Sequence, residues 1–217
     1  MRKWTLPLAA AAGLAALSIG TLHAQQGGPP QLPGQMDPSR VTAGTYAADS
    51  GHSLVGWRVN HFGFNDYFGI FGNVSGTLTI DPANLGAAKV DVTIPIDSVV
   101  VASAGLRDHL LRAGRDGGKP DFFGPNPAAA KFVSTRVQPS GNNATITGDL
   151  TLNGVTKPVT IQAQFTGAGN AMMPPNKLTV GFEGTTTIKR SDFGITTFVP
   201  MVSDEVELTI TTAFEKQ

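Results

Sequence analysis

Ser103-Ala104-Gly105-Leu106-Arg107-Asp108-His109-Leu110-Leu111-Arg112 reads as a helix inside a chain that otherwise reads as strands. Ser103 is a candidate N-cap, since its hydroxyl can accept from a backbone N–H of the first turn. Leu106 and Leu110 stand four apart and share one face. Asp108 and Arg112 have the same spacing and are expected to pair on the outer face. The aromatic Asp121-Phe122-Phe123 follows closely. One amphipathic helix in a β-chain suggests a container with a cover.

On either side of this segment the apolar period is two. Lys89 to Ile96 places Val90, Val92, Ile94 and Ile96 on one face. Thr145 to Leu152 does the same with Ile146, Leu150 and Leu152. Val159, Ile161, Ala163 and Phe165 alternate with polar residues, as do Val206, Leu208 and Ile210. His52 to Phe62, Phe68 to Ile80 and Lys177 to Lys189 read as further strands. Asn153-Gly154 is a hairpin signal and Ser140 to Asn143 a second turn. Long amphipathic strands joined by short turns favour an all-β fold, a single antiparallel meander closed into a β-barrel, with the short helix inserted between strands as a lid. Glycines within strand patterns, at positions 72, 76, 148 and 181, suit the bends of a closed barrel.

The N-terminus reads separately. Arg2-Lys3, the apolar run from Leu6 to Ile19 and Leu22-His23-Ala24 have the form of a signal peptide, 1–24, cleaved after Ala24. The Gln/Gly/Pro-rich stretch 25–40 reads as a flexible leader, and 41–217 as one domain. Export and solubility in the periplasm are therefore expected, without stable membrane insertion.

Basic and acidic residues balance at 16 each, and no basic stripe points to nucleic acid. Cysteine is absent, so neither disulfides nor lipoprotein acylation are available. There is no nucleophile elbow, phosphate loop or zinc-protease motif. His52 and His61 have opposite parity on one expected strand and would face apart, so no metal site and no cofactor are expected.

The ordered set of remaining motifs resembles the YceI-like family of periplasmic polyisoprenoid-binding proteins. It comprises His52-Ser53 leading to His61-Phe62-Gly63, then Phe71 to Thr77, Arg107-Asp108-His109-Leu110, Asp121-Phe122-Phe123, Lys131 to Thr135, Gly148 to Val159, Lys189 to Gly194 and Ser203 to Val206. Two departures fall at the lid: Asp108 and His109 are contiguous, and Arg115 to Lys119 is long and Gly-rich. The resemblance implies a lipocalin-like barrel that sequesters a polyisoprenoid, an isoprenoid quinone or a fatty-acid derivative.

Candidates for an apolar pocket are Phe62, Phe64, Phe68, Phe71, Val92, Ile94, Ile96, Leu106, Leu110, Phe122, Phe123, Phe132 and Phe193. Arg107, Asp108 and His109 are candidates for a polar mouth. These aromatics serve a cavity or an ordinary packed core equally well, since eight or so strands allow both. The other class open to the chain is a secreted enzyme on a small hydrophobic substrate, using His109 with Asp108 or Asp121. The oligomeric state, monomer or homodimer, is left open.

Overall fold

The alternating stretches form strands as their period requires. The computed structural model describes residues 31–217. The expected signal segment and residues 25–30 of the leader lie outside them. Among the described residues there are ten antiparallel strands: β1 (Gly44–Ala48), β2 (Leu54–His61), β3 (Asn65–Phe71), β4 (Ser75–Ile80), β5 (Lys89–Ile94), β6 (Ala130–Ser140), β7 (Asn143–Leu152), β8 (Val155–Asn170), β9 (Leu178–Lys189) and β10 (Glu205–Lys216). The α-helix among the described residues, α1 (Ala104–Leu111), lies between β5 and β6, and the Ser103 hydroxyl accepts from Leu106 N at 3.3 Å.

Neighbours in sequence pair from β4 through β10, and β1 joins β4 to β10. That closes a barrel of eight strands, a geometry that removes exposed sheet edges. The β2–β3 hairpin extends the wall. β10 pairs with β1 through Phe214–Lys216 and with β2 through Glu207–Thr211, so β1 and β2 follow one another along the same edge. The other edge of β3 meets the segment that carries α1. Ile70 and Val100 exchange backbone hydrogen bonds there, and Ser98 Oγ bonds to Gly72.

The stretch expected as one strand, Phe68 to Ile80, is therefore two. β3 pairs with β2 while β4 pairs with β1, and the chain steps between them at Gly72-Asn73-Val74, with Asn73 left-handed at φ 54°. At Gly76 φ is 123°, and a Cβ would come within 2.1 Å of the Asp91 carbonyl oxygen, so only glycine fits here where β4 pairs with β5. Asn153 and Gly154 both have positive φ, as a two-residue turn between β7 and β8 requires. Of the leader, Gln35 is bridged to Ala168 by two backbone bonds of 3.0 and 2.8 Å. They occupy an edge that β8 presents beyond the end of β7.

The barrel is packed at one end and hollow above. Tyr46, Leu78, Ile80, Phe165, Ala168, Val180 and Phe214 form a buried floor, and Tyr46 Oη donates to Thr42 O at 2.7 Å. At the other end Ile96, Ala130, Phe132, Leu150, Leu152, Ile188, Phe193 and Ile195 form a second cluster. Between and above these lies the site.

Candidate functional site

Inward-facing strand positions enclose a cavity of about 600 Å³ with a wall that is almost wholly apolar. Its size is mid-range for small-molecule sites. β5 contributes Val90, Val92 and Ile94, with Ile96 following; β7 and β8 contribute Ile146, Leu150, Val159 and Ile161. Leu78, Phe182 and Phe214 make the floor. α1 lies across the mouth: Leu106, His109 and Leu110, spaced i, i+3, i+4, turn one face to the hollow.

Most of the apolar candidates reach this wall: Phe62, Phe71, Val92, Ile94, Ile96, Leu106, Leu110, Phe122, Phe123 and Phe132. Three do not. In β3 the odd positions Tyr67 and Phe71 face inward, so Phe68 points outward and is 64% exposed. Phe64 sits in the β2–β3 turn and is 89% exposed. Phe193 is buried, yet it packs behind the wall in the upper cluster.

The polar trio also separates. His109 faces the cavity. Asp108 is exposed, and Arg107 folds back to donate to the carbonyls of Val99 (3.3 Å) and Asp97 (3.2 Å). Arg112 does not pair with Asp108 as expected. Asp121 Oδ2 lies 2.8 Å from Arg112 Nη2 and 2.8 Å from His109 Nε2. Phe123 N donates to Leu110 O at 3.0 Å. The His109 ring stands edge-on to Phe122 and Phe198, with centroids at 5.1 and 6.1 Å. The helix is thus clamped to the Asp121-Phe122-Phe123 segment by charge, backbone and ring contacts.

His109 and Asp121 meet as the enzyme alternative requires, while Asp108 takes no part. Among the described residues, no serine or threonine hydroxyl hydrogen-bonds to either ring nitrogen of His109. Ser103, also on the cavity wall, accepts from the helix N-terminus instead. No group of three or more potential metal ligands comes together among the described residues.

Arg112 first, and His109 second, hold the Asp121 carboxyl below the usual carboxylate range. Its folded pKa is depressed, so the clamp contributes its stability above the ordinary carboxylate pKa and loses it as pH falls through the lowered value. Acidification below about pH 4 should therefore loosen α1, and Asp121→Asn should loosen it already at neutral pH. Hydrogen exchange of the α1 amides measures this; identical α1 protection in wild type and variant at neutral pH would show that the pairing does not hold the lid.

Several wall residues are absent from the candidates read from sequence: Val55, Trp57, Val59, His61, Tyr67 and Phe198. The first four are the odd positions of β2, where Val55, Trp57 and Val59 alternate with Gly56, Arg58 and Asn60, so the period-two signal was there to find. Trp57 lies across Gly69, where a Cβ would sit 2.3 Å from the indole; its buried Nε1 has no hydrogen-bond partner among the described residues. His61 faces inward, beside Tyr67 at 4.7 Å. His52 lies in the turn before β2, on Asp49, rather than on the strand.

An antiparallel barrel with a helix across the mouth of an apolar hollow defines a lipocalin-like binding barrel. The YceI-like domain model matches residues 46–214, and the chain belongs to that family. A UPF0312 protein of Pseudomonas paraeruginosa is 45% identical over 159 residues, 72% of this chain and 78% of its own. The crystal structure of BcnA from Burkholderia cenocepacia matches with a TM-score of 0.61 at 26% identity, covering 76% of this chain and 98% of that one. A polyisoprenoid binding domain from Saccharophagus degradans shares the fold, with a TM-score of 0.54 at 14% identity over 79% of this chain and 98% of its own.

Proposed function

We propose that this protein is an exported carrier that sequesters a long apolar molecule in its barrel: a polyisoprenoid, an isoprenoid quinone or a fatty-acid derivative. The observation that carries the reading is the cavity itself, some 600 Å³ walled by aliphatic and aromatic side chains from the Phe214 floor to the His109 mouth. Burying a methylene contributes about 0.8 kcal/mol. Ten methylenes thus contribute about 8 kcal/mol, which only matches an association cost of roughly 4–15 kcal/mol. Tight binding then requires a longer chain, and needs no special chemistry beyond length. His61, Tyr67 and His109 supply the few polar groups that orient a head. The Saccharophagus domain's description as polyisoprenoid-binding supports this ligand class.

The charged start, apolar run and Ala24 of the N-terminal segment support export to the periplasm. The His109–Asp121 pair is read as the lid clamp, and the protein as a carrier rather than a catalyst. Mass spectrometry of an organic extract of the exported protein should find one long-chain molecule per barrel. A protein that carries none, and takes up no prenyl or acyl chain when offered one, would overturn the reading.

A further inference from the structure

We infer that the rim of the mouth is a docking surface for a lipid bilayer. The inference rests on the carrier reading for its purpose, though not for its geometry. A molecule apolar enough to fill the cavity is scarcely present in water, so it must be collected and delivered where the mouth touches lipid.

Two segments build this part of the rim. The β2–β3 turn carries Phe62 and Phe64, and the segment after Gly194 carries Phe198 and Met201. Phe62 N donates to Met201 O at 2.7 Å, and His61 is bridged to Val202, so the two form one surface. Phe62, Phe64, Phe198 and Met201 are 45, 89, 43 and 49% exposed. Neither His61–Asn65 nor Gly194–Val202 contains Asp, Glu, Lys or Arg. Phe62 (φ 55°) and Phe198 (φ 63°) both hold a left-handed backbone, which bulky residues seldom adopt.

A contiguous apolar patch of this kind marks an interaction site. The occupant follows from its continuity with the hollow. Phe62 and Phe198 also line the cavity while being part-exposed, so apolar side chains continue from the inside of the hollow to its rim. Exposed Phe side chains suit an apolar face buried at the headgroup–acyl boundary of a membrane. A second copy seated here would stopper the mouth instead. Because both segments are uncharged, docking should depend on inserted apolar area and not on anionic lipid.

The test is flotation of the full protein with phosphatidylcholine vesicles, and with vesicles that also contain phosphatidylglycerol, at low and high salt. Wild type should float with both, and salt should change little. The double variant Phe64→Ser, Met201→Ser alters no cavity residue. It should lose partitioning by about tenfold or more while its melting temperature stays unchanged. Wild type that remains below the gradient would overturn the inference. So would a variant that floats equally, flotation confined to anionic vesicles and abolished by salt, or a dimer in sedimentation that the same substitutions dissociate. Lipid content separates this outcome from that of the carrier reading: a protein that floats but neither carries lipid nor takes up an offered chain refutes the carrier and supports the rim, while a loaded protein that does not float does the reverse.

Discussion

Arg190→Ala is expected to destabilise the fold by about 3 kcal/mol or more, since hydrogen bonds to a charged group contribute about 1.5–3 kcal/mol each. Arg190 follows β9 and is 5% exposed. Its guanidinium donates to four backbone carbonyls: Ser203 (2.9 Å), Ile195 (3.0 Å), Thr197 (2.8 Å) and Val202 (2.8 Å). All four belong to the segment between β9 and β10 that forms part of the rim. Burial pulls the Arg190 pKa down, and the nearby Asp204 carboxylate opposes that. Asp204 in turn accepts from Ser191 N (2.9 Å) and Ser191 Oγ (2.7 Å). Alanine would leave those carbonyls without their charged donor in a largely buried site. A chain of this size loses roughly 2–4 °C in melting temperature per kcal/mol, so thermal unfolding should show a large drop. Arg190→Lys should recover only part, because an ammonium cannot reproduce the planar fork. A loss below about 1 kcal/mol would mean that water replaces the guanidinium.

Ile94→Trp should leave the protein folded and empty of lipid. Ile94 lies on the cavity wall, opposite the small Ala130 across β5 and β6. In a close-packed interior the extra volume would cost typically about 1–3 kcal/mol. Here the hollow accepts the indole, which then stands where the ligand's chain would lie. The measurement is thermal stability beside lipid content in wild type and variant. A clearly destabilised variant, from a wild type that carries no extractable lipid, would refute the carrier and leave a filled barrel.

The strands that alternate strictly, β5, β7, β8 and β10, were legible because their inward residues are aliphatic and their outward ones polar. β6 was not read from its pattern. A bulge between Ser134 and Arg136 shifts the register, so Phe132 and Val137, of opposite parity, face the same side opposite Leu150 and Ile146. β1, Gly-Thr-Tyr-Ala-Ala, has only Tyr46 buried and carries no alternation to see. At the site, composition found the aromatics but could not orient them. Phe68 and Phe71 differ in parity, and only the register of β3 tells wall from exterior. Helical spacing matched Arg112 with Asp108, whereas the true partner, Asp121, lies beyond the helix and also engages His109. Such pairings depend on how a connection folds back, which no periodicity records.

The packed floor has a kinetic consequence. Tyr46, Leu78, Val180 and Phe214 seal one pole, so the hollow is a blind tube and not a conduit. Whatever chain occupies it goes in tail first and leaves head first, by the way it came. A newcomer cannot drive the resident out at the far side. On the carrier reading, exchange through that mouth is dissociative, with an unloading rate that is zero order in the competitor.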